Sequence, residues 1–400
     1  MTTVTEKKPT NTLTPGKWIP HLDSLLDRCP ERWSEAVSVF RKLVNGGGSN
    51  EYPSWLLRML QLEIHPGESC WVRCPHCLGA KLRCKVQKPL PVDPILRLID
   101  KLPAEGVERI EYAGIYTDPL TWSGLKSALE HCRGAGISVG VHTKFIRASG
   151  GLIEAMASTR SDNSCIAVSI DHFDPEIYDE QYRPVVPNAL REAQANVERL
   201  CASVCEAGSL LQVSIRTLLV SGVTPDGLCM GADWIYGLRS KYPQCRLNWR
   251  ISLPWIAAGA SEPQPKGIAE QINARDTQAR EEIDDCISGI IEASQSWPGT
   301  GGVRLREEPA LSSGDCPVCF NQLLYGAIGA DGFYYPCQGI ASPRYRHLSY
   351  GNIHNDDDFV ARRRKRTAND LTIRPGIDCP GCAAPHEAAV NRAVMEELNS

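Results

Sequence analysis

Three cysteines with short, regular spacing are the residues of this sequence best suited to chemistry. Cys70, Cys74 and Cys77 form the pattern C-x3-C-x2-C. Three thiolates on one short loop can hold three corners of a 4Fe-4S cluster and leave the fourth iron without a protein ligand. The spacing therefore predicts a cluster whose open iron binds a substrate or cofactor.

Two other interpretations of this triplet stay open. A zinc site normally needs a fourth ligand nearby and favours two C-x2-C pairs, and a chance clustering is possible among 17 cysteines. The triplet follows an extended run at 60–64 and precedes a helical pattern at 92–102. A position between a strand and a helix favours the iron-sulfur cluster.

Strand-like and helix-like patterns alternate around the triplet. From residue 60 onward, short apolar or β-branched runs alternate with longer amphipathic stretches, which is typical of βα units around a parallel sheet. The predicted strands are 60–64, 109–113, 137–142, 165–170, 210–219 and 245–253. The predicted helices are 92–102, 120–135, 151–157, 189–207, 226–241 and 268–296. We therefore expect an α/β fold of six βα units.

A second set of cysteines follows a C-x12-G-x4-C pattern and ends in a C-x2-C pair. Its members are Cys319, Gly332, Cys337, Cys379 and Cys382. The dipeptide Asp-Gly at 331–332 lies between two strand-like runs and predicts a hairpin, and a helical pattern follows at 388–398. Taken alone, this C-x2-C pair and a second one that starts at Cys316 would indicate zinc.

Composition narrows the class of protein. The chain has 400 residues, a formal net charge of -4 and 22% charged residues, so nothing indicates a nucleic-acid partner. The first residues lack the apolar segment of a signal peptide, and no apolar run approaches the ~20 residues of a membrane span. We therefore expect no membrane partner and a cytoplasmic protein, in which the cysteines are reduced and do not form a disulfide scaffold.

The triplet, placed after a first strand and before successive βα units, resembles the radical S-adenosylmethionine (SAM) superfamily. The resemblance implies a partial (β/α)6 TIM-type barrel in which Cys70, Cys74 and Cys77 hold a 4Fe-4S cluster whose open iron binds SAM. It also implies that an electron from the cluster cleaves SAM to a 5'-deoxyadenosyl radical. A reducing electron donor such as flavodoxin or ferredoxin is the implied partner.

The C-terminal pattern resembles the twitch domain, a shortened relative of the SPASM extension of radical SAM enzymes. The resemblance implies a small hairpin-helix iron-sulfur module in which Cys319, Cys337, Cys379 and Cys382 hold one auxiliary 4Fe-4S cluster. Cys316 either replaces Cys319 as a ligand or is spare. The expected segments are an N-terminal helical segment 1–59, a radical SAM partial barrel 60–260, a connecting helical segment 261–310 and a twitch-like domain 311–400.

By the same resemblance, Gly114 and Asp118 occupy the place of a Gly-Gly-Glu segment that receives the SAM ammonium group, with one glycine lost and the acid shifted. Gly114 permits close backbone approach, and Asp118 or backbone carbonyls accept the ammonium hydrogen bonds. Asp118 followed by proline is also a helix start, and both roles are compatible.

Three residues of later strands complete the implied cofactor site. Ser169 and Asp171 form a Ser-x-Asp segment like one that similar enzymes use near the SAM ribose or carboxylate. Arg216 can pair with the SAM carboxylate through its planar guanidinium, or it can be a surface arginine.

Two clusters favour hydrogen abstraction followed by an electron-coupled step. Our leading hypothesis is aminoglycoside or aminocyclitol tailoring in antibiotic biosynthesis: dehydrogenation, epimerisation or dehydration of a polyhydroxylated small molecule. The alternatives are a maturase that crosslinks or epimerises a peptide, and a non-enzymatic zinc or iron-sulfur protein. No winged-helix leader-binding domain is evident before residue 60, which favours the small molecule. For epimerisation, Cys245 is the candidate hydrogen donor, although a buried packing thiol is the ordinary role of such a cysteine.

Overall fold

A ten-stranded sheet organises the chain. The computed structural model describes residues 61–67, 69–77, 88–114, 117–159, 163–220, 222–252, 280–306, 319–354, 361–363, 373–374, 377–379 and 391. The predicted N-terminal helical segment, Cys316, Cys382, residues 253–279 and most of the predicted C-terminal helix lie outside these ranges.

All six predicted strands form, and they lie side by side in chain order. Their bounds are β1 (Gln61–Ile64), β2 (Arg109–Tyr112), β3 (Ser138–Thr143), β4 (Cys165–Ser169), β5 (Gln212–Leu218) and β6 (Arg246–Ser252). Every neighbouring pair among them is parallel. Successive side chains of a strand point to opposite faces, so every second residue of each strand lies on the same face. On one face most of these residues are buried and apolar: the even-numbered ones of β1, β2 and β4 and the odd-numbered ones of β3, β5 and β6.

Helices connect these strands and cover one face of the sheet. Their bounds are α1 (Val92–Lys101), α2 (Leu125–Gly134), α3 (Gly150–Ala157), α4 (Pro175–Tyr182), α5 (Ala189–Glu206), α6 (Pro225–Lys241) and α7 (Arg280–Ser294). Short 3-10 turns lie at Leu102–Glu105 and Pro119–Thr121. Neighbouring helices pack on one another around the outside of the sheet, which is the α/β arrangement of a partial TIM-type barrel.

Two helices were not predicted from the sequence: α4 and a helix of four residues, Asn321–Leu324. The helix α4 begins with Asp174, whose carboxylate accepts hydrogen bonds from the backbone N–H groups of residues 176 and 177, and Pro175 takes its first position. This is a standard helix start, but the helix has only eight residues and little apolar periodicity.

A seventh parallel strand was also missed. The strand β7 (Val303–Arg306) pairs with β6 inside the segment that was expected to connect two domains. It is short and carries two arginines, so its sequence has too little apolar character for a strand prediction.

The predicted hairpin forms and extends the sheet at the other edge. A short helix α8 (Asn321–Leu324) leads into β8 (Tyr325–Ile328), which pairs antiparallel with β9 (Phe333–Tyr335), and β9 pairs with β10 (Gly351–Asn352). Gly332 in the turn has a φ of +76°, a conformation that favours glycine. The strand β8 also pairs in parallel with β1, so the hairpin and the barrel share one sheet.

Candidate functional site

The cysteine loop, residues 69–77, directly follows β1. It therefore lies at the carboxyl edge of the parallel strands, where α/β barrels place their active sites. Cys70, Cys74 and Cys77 are all partly accessible.

Backbone hydrogen bonds hold the cysteine loop to two other segments of this edge. The bonds run from Asp118 N to Ser69 O at 2.7 Å, from Val185 N to Trp71 O at 2.9 Å, from Arg73 N to Tyr182 O at 2.7 Å and, within the loop, from Cys77 N to Cys74 O at 3.1 Å. The loop is thereby fixed between the segment after β2 and the end of α4.

The donor set of the loop fits an iron-sulfur cluster. Its three thiols are the ligand type that such clusters use. Two polar atoms of the loop, Trp71 Nε1 and His76 Nδ1, are buried without a hydrogen-bond partner in the described part of the chain, and buried polar atoms normally have one. As placed, no group of three or more His, Cys, Asp or Glu side chains among the described residues has the arrangement of a metal site.

Burial is the main influence on the pKa of two thiols in the loop. It raises the pKa of Cys70 to about 12, and the negative charge of Asp118 raises it further. Burial also raises the pKa of Cys74 to about 11, against the opposing effect of Lys144. Both thiols therefore hold their protons near pH 7, and a metal must displace those protons to bind.

The Asp118 carboxylate accepts hydrogen bonds from groups within the protein. It accepts from Leu120 N at 3.0 Å, from Thr143 Oγ1 at 2.8 and 2.9 Å, and from Lys144 N at 2.8 Å. Its side chain is buried, and burial raises its pKa despite these donors. Asp118 thus caps the turn at Pro119 and connects β3 to the cysteine loop. Of the two acceptors expected for the SAM ammonium group, Asp118 and the backbone carbonyls, the carbonyls therefore remain.

Asp171 and Lys144 form a buried ion pair behind the cysteine loop. Lys144 Nζ lies 3.2 Å from Asp171 Oδ2 and 4.3 Å from the centre of the Tyr182 ring. The Tyr182 hydroxyl and Leu218 N donate to Asp171, and His76 Nε2 lies 3.6 Å away. Burial opposes ionisation of Asp171, but Lys144 and the other donors hold its pKa below the ordinary value, at about 2.

A chain of charged groups crosses the inner face of the sheet. Arg109 Nε donates to Glu111 Oε1 at 2.5 Å, Glu111 Oε2 lies 3.0 Å from His142 Nε2, and Arg216 Nη1 lies 2.8 Å from His142 Nδ1. Because arginine only donates, His142 Nδ1 is the acceptor, and Nε2 carries the proton that it donates to Glu111. Burial opposes ionisation of Glu111, but Arg109 and His142 hold its pKa well below the ordinary range.

Glycines make room at two points of this architecture. A Cβ at Gly140 would lie 1.6 Å from Glu111 Oε2, so the Glu111 carboxylate rests directly over Gly140. A Cβ at Gly114 would lie 1.5 Å from the Thr117 carbonyl oxygen. The close approach that Gly114 permits is therefore to its own chain.

The structure brings most of the expected cofactor residues to the carboxyl edge. Ser169 ends β4 and Asp171 follows it, while Arg216 lies opposite Ser169 on β5. Arg216 faces the inner side and contacts His142, which argues against the surface alternative. Cys245 instead precedes β6 at the amino edge, is buried and lies against Cys201, so the structure does not bring it to the cysteine loop.

Three of the expected auxiliary ligands lie in one small core beside the hairpin. Cys319, Cys337 and Cys379 all pack in a cluster built from Tyr335, Ile340 and neighbouring apolar residues. Cys319 N donates to the carbonyl of residue 373 at 2.8 Å, which joins the segment before the hairpin to the segment before Cys379. The fourth, Cys382, lies outside the described residues.

Sequence reasoning missed several side chains of this region. Tyr182, Glu111, Arg109 and Cys165 take part in the networks of the inner face and the carboxyl edge. Lys144 ends a predicted strand at this edge, where a lone lysine is more often a packing or surface residue, and the structure pairs it with Asp171. The available signal was polar residues at alternate positions of apolar strands, as in Arg109 and Glu111 of β2.

No family model matches this sequence, and no curated protein matches it. Solved structures do match the fold. Streptococcus suis SuiB aligns over 78% of this chain with 12% identity and a TM-score of 0.54, and SuiB bound to its precursor peptide SuiA aligns over 75% with 14% identity and a TM-score of 0.52. This chain spans 66% and 64% of those two SuiB chains, slightly less than two thirds.

A second neighbour is anSMEcpe bound to AdoMet and the Kp18Cys peptide. It aligns over 78% of this chain and 82% of its own, with 12% identity and a TM-score of 0.50. Helices long and apolar enough to cross a membrane do not occur among the described residues. SuiB and anSMEcpe were both solved with S-adenosylmethionine bound, and this chain shares their fold, a partial TIM-type α/β arrangement.

Proposed function

We propose that this protein is a radical SAM enzyme. The observation that carries the proposal is a C-x3-C-x2-C loop at the carboxyl edge of a fold that it shares with SAM-bound SuiB, at a TM-score of 0.53. Cys70, Cys74 and Cys77 would hold a 4Fe-4S cluster with one open iron. When bound, that cluster supplies the electron that cleaves SAM to the 5'-deoxyadenosyl radical, which abstracts hydrogen from the substrate.

The residues around the loop would orient these groups and exclude water. Asp118 fixes the loop against β3 through the Ser69 carbonyl and Thr143. Lys144, paired with Asp171 at 3.2 Å, places a buried positive charge beside Cys74, where it favours bound thiolate. Ser169, Arg216 and the carbonyls near Gly114 are the residues that we propose for SAM binding.

We further propose that the substrate is a peptide. Two structural neighbours were solved with peptides, SuiB with its precursor peptide SuiA and anSMEcpe with the Kp18Cys peptide. These comparisons favour the peptide alternative over the polyhydroxylated small molecule of our leading hypothesis.

An auxiliary 4Fe-4S cluster is a separate part of the proposal. Its ligands would be Cys319, Cys337, Cys379 and Cys382. The packing of the first three cysteines in one small core supports this set. An auxiliary cluster at this place is compatible with the removal of an electron from a substrate radical.

Production of 5'-deoxyadenosine tests the radical chemistry. Anaerobically reconstituted and reduced protein should convert SAM to 5'-deoxyadenosine, as measured by chromatography with mass detection. Cys74→Ser should abolish that conversion, whereas Cys229→Ser, at an exposed cysteine far from the loop in sequence, should retain it. Failure of the reconstituted wild type to cleave SAM would contradict the proposal.

Metal content tests the auxiliary cluster. The wild type should bind about eight irons, and Cys337→Ser should bind about four while it still cleaves SAM without substrate. Zinc in place of iron would support the structural-protein alternative.

Product mass distinguishes the substrate classes and reactions. The reconstituted protein should be incubated with SAM and either peptides encoded near its gene or aminocyclitols. A peptide product that has lost two hydrogens would indicate crosslinking or dehydrogenation, and an unchanged mass with deuterium uptake from solvent would indicate epimerisation. Turnover of aminocyclitols alone would restore the small-molecule hypothesis.

A further inference from the structure

Two cysteines on neighbouring helices face each other outside the sheet. Cys229 lies in α6 and Cys286 in α7, 57 positions apart in the chain, and their sulfur atoms are 3.8 Å apart. The two helices pack against each other. A disulfide bond holds its sulfur atoms at about 2.05 Å, so the two sulfur atoms need to approach by only about 2 Å for a bond to form.

The backbone on both sides of the pair is anchored in the core. Leu228 precedes Cys229 and Ile287 follows Cys286, and both of these apolar side chains are buried in the large core. The Cys286 thiol also donates to the carbonyl of Pro225 at 3.6 Å, one helical turn before Cys229 on the same face of α6. Rotation of the cysteine side chains can therefore close the remaining gap while the helices stay in place.

The two thiols differ in access and in acidity. Cys229 is exposed, whereas Cys286 is half-buried. Burial, and after it the hydrogen bond with Cys229, raises the pKa of Cys286 to about 12, so Cys286 keeps its proton near pH 7. A reagent in solution therefore meets Cys229 first, and the thiolate of an accessible cysteine is the form that attacks a disulfide.

We infer that Cys229 and Cys286 form a redox-modification site, which reacts with a low-molecular-weight disulfide such as glutathione disulfide and closes into a reversible disulfide bond between α6 and α7. The inference does not depend on the radical chemistry, because neither cysteine belongs to the cysteine loop or to the proposed auxiliary ligands.

Two exchange steps form the bond. The Cys229 thiolate attacks one sulfur of glutathione disulfide, which gives a mixed disulfide on Cys229 and releases one glutathione. The Cys286 sulfur then attacks the Cys229 sulfur, loses its proton and releases the second glutathione. Together the two protein thiols lose two electrons and two protons, and one glutathione disulfide becomes two glutathione thiols. Exposed disulfides are the readily reduced ones, so an excess of glutathione reverses both steps.

Peptide mapping at defined glutathione redox conditions tests this inference. The purified full chain is equilibrated anaerobically with glutathione disulfide in excess over glutathione, its free thiols are blocked with N-ethylmaleimide, and it is digested with trypsin. Trypsin cuts after arginine and lysine, so Cys229 is the one cysteine of peptide 217–239 and Cys286 is the one cysteine of peptide 281–304. Mass spectrometry detects the linked pair as the sum of the two peptides minus two hydrogens.

We expect this linked pair to be about tenfold or more abundant than links between Cys229 and any other cysteine, because disulfide geometry excludes sulfur atoms that are held farther apart. The link should disappear when excess glutathione is restored. Cys286→Ser should stop after the first step and carry glutathione on Cys229, whereas Cys229→Ser should leave Cys286 mostly unmodified. Cys205→Ser, at a partly accessible cysteine of α5, should form the same link as the wild type.

A folded wild type that links these two peptides no more than the urea-unfolded chain does would overturn the inference, even if both serine variants failed to fold. So would a mixed disulfide on Cys229 that never passes to Cys286, because the second thiol would then be out of reach.

Discussion

Lys144 and Asp171 are charged groups whose burial depends on each other. Their charged atoms are 3.2 Å apart, and both side chains are almost completely buried. Removing one partner of a buried ion pair leaves an uncompensated charge and typically costs ~3–5 kcal/mol, whereas replacing both by neutral groups costs far less. The pair therefore stabilises the carboxyl edge mainly because each buried charge is compensated by the opposite charge of its partner.

Asp171→Asn should lower the free energy of unfolding by ~3–5 kcal/mol, because Lys144 then loses its carboxylate. Urea unfolding followed by circular dichroism measures the change, and Asp100→Asn, at a largely exposed aspartate beside His131, should change it by less than ~1 kcal/mol. The double variant Asp171→Asn with Lys144→Met should recover part of the loss. A single-variant loss no larger than that of the control would contradict this account.

Glu111 should make stability depend on pH in the acid range. Its pKa is held well below the ordinary value by Arg109 and His142, so the unfolded chain takes up a proton before the folded one does. The stabilisation is complete above the ordinary carboxyl pKa of about 4.3 and falls by ~1.4 kcal/mol per pH unit below it.

The comparison of wild type with Glu111→Gln isolates this effect. The difference in unfolding free energy between the two proteins should be largest at pH 6–7 and should shrink as the pH falls below about 4. Urea titrations at each pH measure it, and a difference that does not change with pH would show that the ionisation of Glu111 is not its cause.

At the scale of elements, β2 and β3 fit together because Gly140 of β3 has no side chain. The Glu111 carboxylate rests where a Cβ of Gly140 would be, and Glu111 and Gly140 are opposite each other in register. The polar chain of the inner face therefore depends on a glycine in the middle of a strand, where glycine is otherwise unfavourable.

Gly140→Ala should destabilise the protein by ~1–3 kcal/mol, because the added methyl group displaces the Glu111 carboxylate from Arg109 and His142. Thermal unfolding measures the loss. Gly134→Ala is the matched control, since no atom lies within 4 Å of its added Cβ at the end of α2; it should be neutral or stabilising by up to ~1 kcal/mol. Equal effects of the two substitutions would contradict the packing explanation.

At the scale of the whole molecule, the C-terminal hairpin belongs to the barrel sheet. The strand β8 pairs along its full length with β1, and β1 leads into the cysteine loop. Ile328 of β8 is completely buried and belongs to the large core that also contains Leu62 and Ile64.

Removal of residues 307–400 should therefore destabilise the barrel and expose an apolar edge at β1. We expect the truncated chain to aggregate, or to unfold in urea well before the full chain. Circular dichroism and size-exclusion chromatography measure both properties. A truncated chain with the urea midpoint of the full chain would show that the hairpin is an independent unit.

The sequence alone determined the features that depend on local spacing. The C-x3-C-x2-C loop, six strands in the right places, most of the helices and the hairpin at Asp331-Gly332 could be predicted because short-range periodicity and turn residues encode them. The strand β7 and the helices α4 and α8 escaped prediction because they are short and weakly periodic.

Only the tertiary structure decided which residues of distant segments become neighbours. In the folded chain the Asp118 carboxylate accepts hydrogen bonds from β3, and Cys245 lies at the amino edge of the sheet. Strand register places Arg216 level with Arg250, and Arg250 level with Arg304. The tertiary structure also places β8 beside β1, across some 260 residues of chain. These outcomes depend on which strands become neighbours and at which offset, and that choice is made by burial and pairing over the whole sheet, not by any short stretch of sequence.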